Sequence, residues 1–401
     1  MPYPFRLPTT SSIAFQDFIS SNTHPSLPSS ATTYRGVVRN VLKKHKRLPP
    51  TSQTPHLTDV LTALDAYVPH LLAIDAGISG RGIADEDIEI ILAKEVKVEW
   101  RAVLAAGIPG REPARVNLQS LEYEVLFTLS TLASTHCLLA RSHLHELYDA
   151  ITPTVEQRGT AINTAMKHLL EANSIYNYAY ARAVQLPSGT QSPLPDVSAS
   201  ALGALASLAM AEATLLAVLK DDPYPAAVVQ DRNKQDKEWM FKAPEISSVR
   251  ALLFARICLA SADHASKAQG MLGRSSKIVE SLPRYLEDLR RTARAKACRF
   301  FGIDAEMASK TGEGIAWLRG AKKELGFAAL GAEEEKKSRG FSKLRKDWVE
   351  KREDKKIEKG GEWGADAGRF DEGRVVEMLM AKWDKMNSIV NRAAPALRTT
   401  C

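Results

Sequence analysis

The chain has 401 residues, 44% apolar and 25% charged, which is enough apolar mass for a sizeable core and outside the composition of a disordered chain. Its 54 basic and 47 acidic residues give a formal charge of +7 with the signs interspersed; this leans mildly toward anionic partners or membrane surfaces and is not the signature of a nucleic-acid binder. The four cysteines, Cys137, Cys258, Cys298 and Cys401, form no CxxC pair, so they read as buried free thiols in a reducing compartment.

The N-terminal MPYPFRLPTTSS has prolines where a signal peptide needs an apolar helix, and a cytoplasmic chain is expected. After an extended arm over 1–33, TTYRGVVRNVLKKHKR predicts a short basic helix closed by Leu48 and Pro49-Pro50. HLTDVLTALDAYVPHLLAIDAG has leucines at helical spacing, interrupted at Pro69. IADEDIEIILAKEV predicts an amphipathic helix with a negative first turn. VKVEWRAVL and ARVNL alternate around IPGREP, which predicts one small β-hairpin.

From Gln119 the pattern becomes one long helix after another. One runs toward Thr152-Pro153 and the next toward Leu186-Pro187, followed by a polar linker, PSGTQSPLPD. SASALGALASLAMAEATLLAVLK, from Ser198 to Lys220, is long enough to cross a membrane. Its alanine, serine and glycine content and the central Glu212 favour instead a helix covered by protein on more than one face, with Asp196 or Ser198 as N-cap. The connection DDPYPAAVVQDRNKQDKEW leads to a partner helix through Met271 and Leu272. SLPRYLEDLRRTARAKACRFFG and KTGEGIAWLRGAKKELG continue the series, whose paired helices suggest tetratricopeptide-like stacking. The core is expected over 34–330, a charged helix and flexible loop over 331–371, and a last amphipathic helix and tail over 372–401.

Signals of catalysis are poor. His143 and His145 alternate on a helix and point to different faces, so they do not chelate as an i, i+4 pair does, and no metal site or cofactor is expected. KTGEGIAW lacks the order of a phosphate loop, and its glycines read as ordinary turn or cap residues before a helix. Two basic clusters, KKHKR at 43–47 and the surface formed by Arg290, Arg291, Arg294 and Lys296, offer charge to phosphates. The plainer reading is a solvated face beside acids such as Glu287 and Asp288.

Several segments together resemble the Bro domain family of adaptors in endosomal sorting. EYEVLFTLSTLAS is similar to the family's helix with a glutamate followed by Leu-Phe-Asn, with Thr128 in place of the asparagine. SLAMAEATLLAVLK resembles its Leu-Ala-Gln-Ala-Gln helix, with Glu212 and Thr214 for the glutamines, and GEGIAWLRGAKKEL and VEWRAV resemble two further elements. Blocks such as LPTTSSIAF, LKKHKRLPP and DLRRTARAKACRFFGIDAE are similar to fungal ambient-pH signalling members of that family. The resemblance implies a mainly all-α, boomerang-shaped domain of helical hairpins with a small β-hairpin.

It also implies a non-enzymatic adaptor that binds the C-terminal helix of an ESCRT-III subunit and supports activation of the transcription factor PacC by a calpain-like protease. A peripheral scaffold on an anionic membrane surface is the alternative. In the family the visiting helix lies in an apolar groove. Matched by motif, Ala217, Val218, Val249, Leu253 and Phe254 stand near that groove. Residues of these types on such helices are also ordinary core, and both readings stand at this point. YPAAV at 224–228 reads as a structural turn rather than a sorting signal.

Overall fold

The computed structural model describes residues 2–82, 87–107, 112–149, 154–186, 194–225, 227, 246–273, 278–327 and 363–398. The chain divides into two compact units, one made of 2–210 with 267–283 and the other of 211–266 with 284–401.

In the first unit an extended arm buries Tyr3, Phe5 and Leu7 and then pairs Thr9–Thr10 (β1) with the strand Lys97–Arg101. Helix α1 spans Leu27–Arg47 and begins inside the stretch expected to be extended, because a proline at its first turn is already set for helix. Leu48 closes it, as its sequence predicts. A single turn, α2 (Pro50–Gln53), leads to α3 (Leu57–Ile78), which passes through Pro69 without a break. One missing hydrogen bond is tolerated there because Val60, Leu64, Tyr67, Leu71 and Ile74 bury a continuous face on both sides of the proline.

The helix expected from IADEDIEIILAKEV is absent over the described residues 87–96. Ile91–Leu92 forms a strand (β3) paired antiparallel with Ile19–Ser20 (β2). The β-branched run Ile-Glu-Ile-Ile has period two as well as helical spacing, and side chains of the arm settle the matter. Ser21 donates to the Glu89 carbonyl at 2.6 Å, and the Glu89 amide donates to Thr23 at 3.0 Å. The hairpin forms as expected: Lys97–Arg101 (β4) pairs antiparallel with Val116–Gln119 (β5), Trp100 opposite Val116, and the sheet order is β1-β4-β5. Of the expected turn IPGREP at 108–113, residues 108–111 lie outside the described residues.

Helices α4 (Leu121–Asp149) and α5 (Val155–Gln185) pack along their lengths, and α5 opens on a capping box between Thr154 and Gln157. Glu124 of α4 is the polar centre of this unit. It accepts from Arg35 Nε at 2.8 Å, Tyr67 at 3.0 Å and Trp100 Nε1 at 2.7 Å, while Arg35 also donates to Thr10 at 2.6 Å. One buried carboxylate thus joins the arm, α1, α3 and the sheet, with the Trp100 ring stacked on Phe127 at 5.1 Å.

Helix α6 (Ala199–Asp221) is the apolar run singled out above, and it is mostly enclosed by protein. Ser198 is its cap, accepting from the Ala201 amide at 3.3 Å, whereas Asp196 accepts the Val103 and Leu104 amides instead. Glu212, the central charge, accepts from Tyr285 at 2.7 Å. Helix α3 is also long and apolar enough to cross a membrane by length and composition.

In the second unit the C-terminal half of α6 packs with α7 (Ser248–Leu272), α8 (Ser281–Met307), α9 (Thr311–Glu324) and α10 (Arg369–Arg398). The glycines of KTGEGIAW are not both turn residues. Gly314 lies within α9, and a Cβ there would stand 3.0 Å from the Gly302 carbonyl of α8 and 3.3 Å from Trp383 of α10. Three helices meet where two side chains are missing. The charged stretch expected over 331–371 falls mostly on 328–362, outside the described residues. Cys137 and Cys258 are buried and Cys298 partly buried, none of them in a disulfide; burial pushes the Cys258 thiol up to about 12, so it stays protonated.

Candidate functional site

The residues proposed for partner binding lie on α6 and α7, and their placement follows from the register of that pair. Ser261 of α7 donates to the Ala211 carbonyl of α6 at 2.8 Å. Two turns on along α6 and two turns back along α7, Val218 and Phe254 both fall in one buried cluster, as an antiparallel pairing of the helices requires. Each helix turns about 100° per residue, so in an antiparallel pair the residues just before these two, Ala217 and Leu253, point to the same side. Val249 follows one turn away on that side of α7.

Exposure divides the five residues accordingly. Val249 is 81% exposed and Leu253 53%, and Ala217 is also exposed. Val218 and Phe254 instead belong to the core, at 1% and 4%, because they face across the helix pair rather than along its outer side. They form the floor, with Phe254 edge-on to Phe300 at 5.3 Å. The same register places Thr214 and Asp221 of α6, and Arg250, Ile257 and Ala260 of α7, along the strip; helix-motif matching alone did not single these out. The Ser248 hydroxyl donates to Asp304 of α8 and fixes the start of α7 just before Val249.

Behind the strip lies a buried charge junction. Arg299 of α8 is fully buried, with Nε 2.6 Å from Glu372 and Nη2 2.6 Å from Asp222, and Lys296 reaches Glu372 at 2.6 Å. The guanidinium lies over the Phe300 ring at 4.2 Å and the Tyr224 ring at 5.3 Å. Burial drives the Asp222 pKa upward, but the Arg299 and Lys296 charges and the Tyr224 amide outweigh it and hold the carboxylate below its ordinary value. The junction ties the end of α6 to α8 and α10. Tyr224 and Ala227 of the YPAAV stretch are buried in the same core, and Tyr224, Pro225 and Ala227 are helical where a turn was expected.

The second basic cluster is largely answered by acids. Arg290 and Arg291 both donate to Glu287, at 2.8 and 2.6 Å; Arg294 lies 3.5 Å from Glu324, and Lys296 is committed to Glu372. The Arg290 hydrogen bond leads in bringing the Glu287 carboxyl down to about 2. Elsewhere, the ends of α4 and α5 border a cavity of about 450 Å3 lined by His143, Glu146, Glu156, Gln157 and Thr160. His143 there stacks on His168. Among the described residues no cluster of three or more histidine, cysteine or acidic side chains has the arrangement to hold a metal ion.

No protein-family model matches the chain. Among solved structures, the Bro1 domain of ALIX in complex with CHMP4C superposes with a TM-score of 0.55 at 15% identity, over 98% of this chain and 88% of that one. A Bro1 domain described in terms of endosomal targeting gives 0.51 at 16% identity, over 98% and 87%. The fold is that of a Bro1 domain, mainly helical with a small sheet. The pH-response regulator palC of Emericella nidulans is 45% identical over 98% of this chain and 84% of its own length. The palC of Cryptococcus neoformans is 25% identical over 97% and 86%. The chain therefore belongs to the palC family of pH-response regulators.

Proposed function

We propose that this protein is a non-enzymatic adaptor of fungal ambient-pH signalling that docks the C-terminal helix of an ESCRT-III subunit along the strip of Ala217, Val249 and Leu253. The observation carrying the reading is the pair of large apolar side chains exposed on successive turns of α7, beside the small Ala217 of α6. An amphipathic helix laid in such a strip covers them with anchors spaced three or four residues apart. Val218 and Phe254 keep the floor rigid, and the Arg299 junction holds α6 against α8 and α10, so the strip is pre-formed and little ordering cost falls on binding. Arg250 and Arg256, both exposed on α7, suit acidic residues of the visiting helix. Membership of the palC family connects this docking to the pH response, in which the adaptor supports proteolytic activation of PacC by a calpain-like protease. The cytoplasm, with recruitment to endosomal or plasma membrane, is the setting that follows from this role.

The test is titration of ESCRT-III C-terminal helix peptides against the wild type, Leu253→Asp and Val249→Asp. Both positions are exposed, so the variants are expected to keep the wild-type melting temperature while losing about 30-fold or more in affinity, the range of an interface anchor. Full-strength binding by both folded variants would remove the strip from the mechanism. Val218→Asp is unsuitable for this purpose, because it places a charge in the core.

A further inference from the structure

Helix α1 contains Arg35, Arg39, Lys43, Lys44, Lys46 and Arg47 and not one aspartate or glutamate. Arg35 is buried and consumed by Glu124. Lys46 is answered by Glu112, which also takes Arg101 of β4. That contact sets the segment 112–115 against the C-terminal half of α1 and brings Arg115 to the same place. Arg39, Lys43 and Arg47 follow one another at intervals of four, so they line one edge of the helix. Among the described residues none of these three, nor Arg115, has an ion pair, and Arg39 has only the neighbouring Asn40 side chain, at 3.1 Å. The Nε atoms of Arg39 and Arg115 are buried without a hydrogen-bond partner.

Three cations on one edge and Arg115 beside them repel one another, and a pair of unanswered buried guanidinium donors costs further free energy. Partial desolvation, followed by the charges of Arg39, Arg115 and Arg47, holds the Lys43 ammonium below its ordinary pKa. The contrast with the Arg290 cluster is direct: there each cation has its carboxylate, whereas among the described residues Glu112 is taken by Lys46 and Arg101 and none of Arg39, Lys43, Arg47 and Arg115 has one. A ligand bearing adjacent phosphate groups would supply the missing negative charge and several acceptor oxygens at once.

We infer that Arg39, Lys43, Arg47 and Arg115 form a binding site for clustered phosphomonoesters, presented by the headgroup of a polyphosphorylated phosphatidylinositol in a membrane. The lipid-borne source is favoured because the edge ends in the exposed Arg47, with the exposed Lys44 on the adjoining side of the helix and Arg39, Lys43 and Arg115 partly exposed, and such a cationic face meets a planar anionic surface. The site lies in the unit formed by 2–210 with 267–283.

The test is co-sedimentation of the full chain with phosphatidylcholine vesicles containing a bisphosphorylated phosphatidylinositol, against phosphatidylserine vesicles of matched total charge. Soluble inositol trisphosphate serves as competitor. Expected are preference for the phosphoinositide vesicles, displacement by the soluble headgroup, and a loss of about 30-fold in Lys43→Gln/Arg47→Gln, with Arg294→Gln unchanged. Arg47 is exposed and Lys43, unlike Arg39 and Arg115, has no buried unpartnered nitrogen, and a melt of the double variant verifies its fold. Equal binding to the phosphatidylserine vesicles, an unaffected double variant, or binding of the soluble headgroup without binding of vesicles would each overturn the assignment.

Discussion

Arg299 is a fully buried guanidinium whose two carboxylate partners come from distant parts of the chain, Asp222 and Glu372. Removing one partner leaves charge uncompensated in a dry site, so Glu372→Gln is expected to cost about 3–5 kcal/mol in urea denaturation. Replacing Arg299, Asp222, Glu372 and the Glu372-bound Lys296 together by apolar residues of similar volume is expected to cost far less, since no isolated charge is then left. The sequence shows Arg299 only as the end of a basic run, RRTARAKACR, and spacing alone does not tell a buried arginine from a solvated one. Pairing over 77 and 73 positions has no local signal. Ala217 and Leu253 were legible as members of the strip through their motifs. Which neighbours are floor and which are surface depends on the register set by Ser261 and Ala211, and this appears only once two helices are packed.

At the level of elements, the long helices from α4 onward were readable because each pairs a helical apolar period with a stop signal such as Pro153 or Pro187. The failure at Ile88 to Leu92 has the opposite cause: a short β-branched run fits both periods, and contacts from Ser21 and Thr23, far away in sequence, choose the strand. The role of Gly314 is hidden for a related reason, since a glycine before a helix and one inside it at a helix crossing look alike in sequence. A methyl group there must push the Gly302 carbonyl or Trp383 aside, so Gly314→Ala is expected to lower stability by about 1–3 kcal/mol. Gly312, with nothing within 4 Å, is the control; alanine there is expected to be neutral or to stabilise by up to about 1 kcal/mol, read from the same thermal melts.

Across the whole molecule, acid should act through buried imidazoles. Burial, and then the neighbouring His56, brings His45 from 6.5 to about 4, and burial with His168 does the same for His136. In both cases the folded state holds the neutral ring, so the unfolded chain takes up protons first as pH falls. Their contribution is fully present above about 6.5 and is lost progressively toward about 4, at most about 3 kcal/mol each. Asp222, with its lowered pKa, adds loss in the same direction at lower pH. Chemical denaturation at about pH 7 and about pH 5 should show this drop, and His45→Gln/His136→Gln should flatten it.

Arg299 depends on a carboxylate supplied by α10, within the last tenth or so of the chain, and the Gly302–Gly314 crossing is roofed by Trp383 from that same helix. A nonsense codon anywhere between 328 and 368 would spare every residue of the α6–α7 strip and of the α1 phosphate edge, yet strip the guanidinium of Glu372 and uncover the crossing. Such late-terminating alleles are expected to behave genetically as complete losses, and a separately supplied α10 segment, rather than more of the shortened product, is what should restore them.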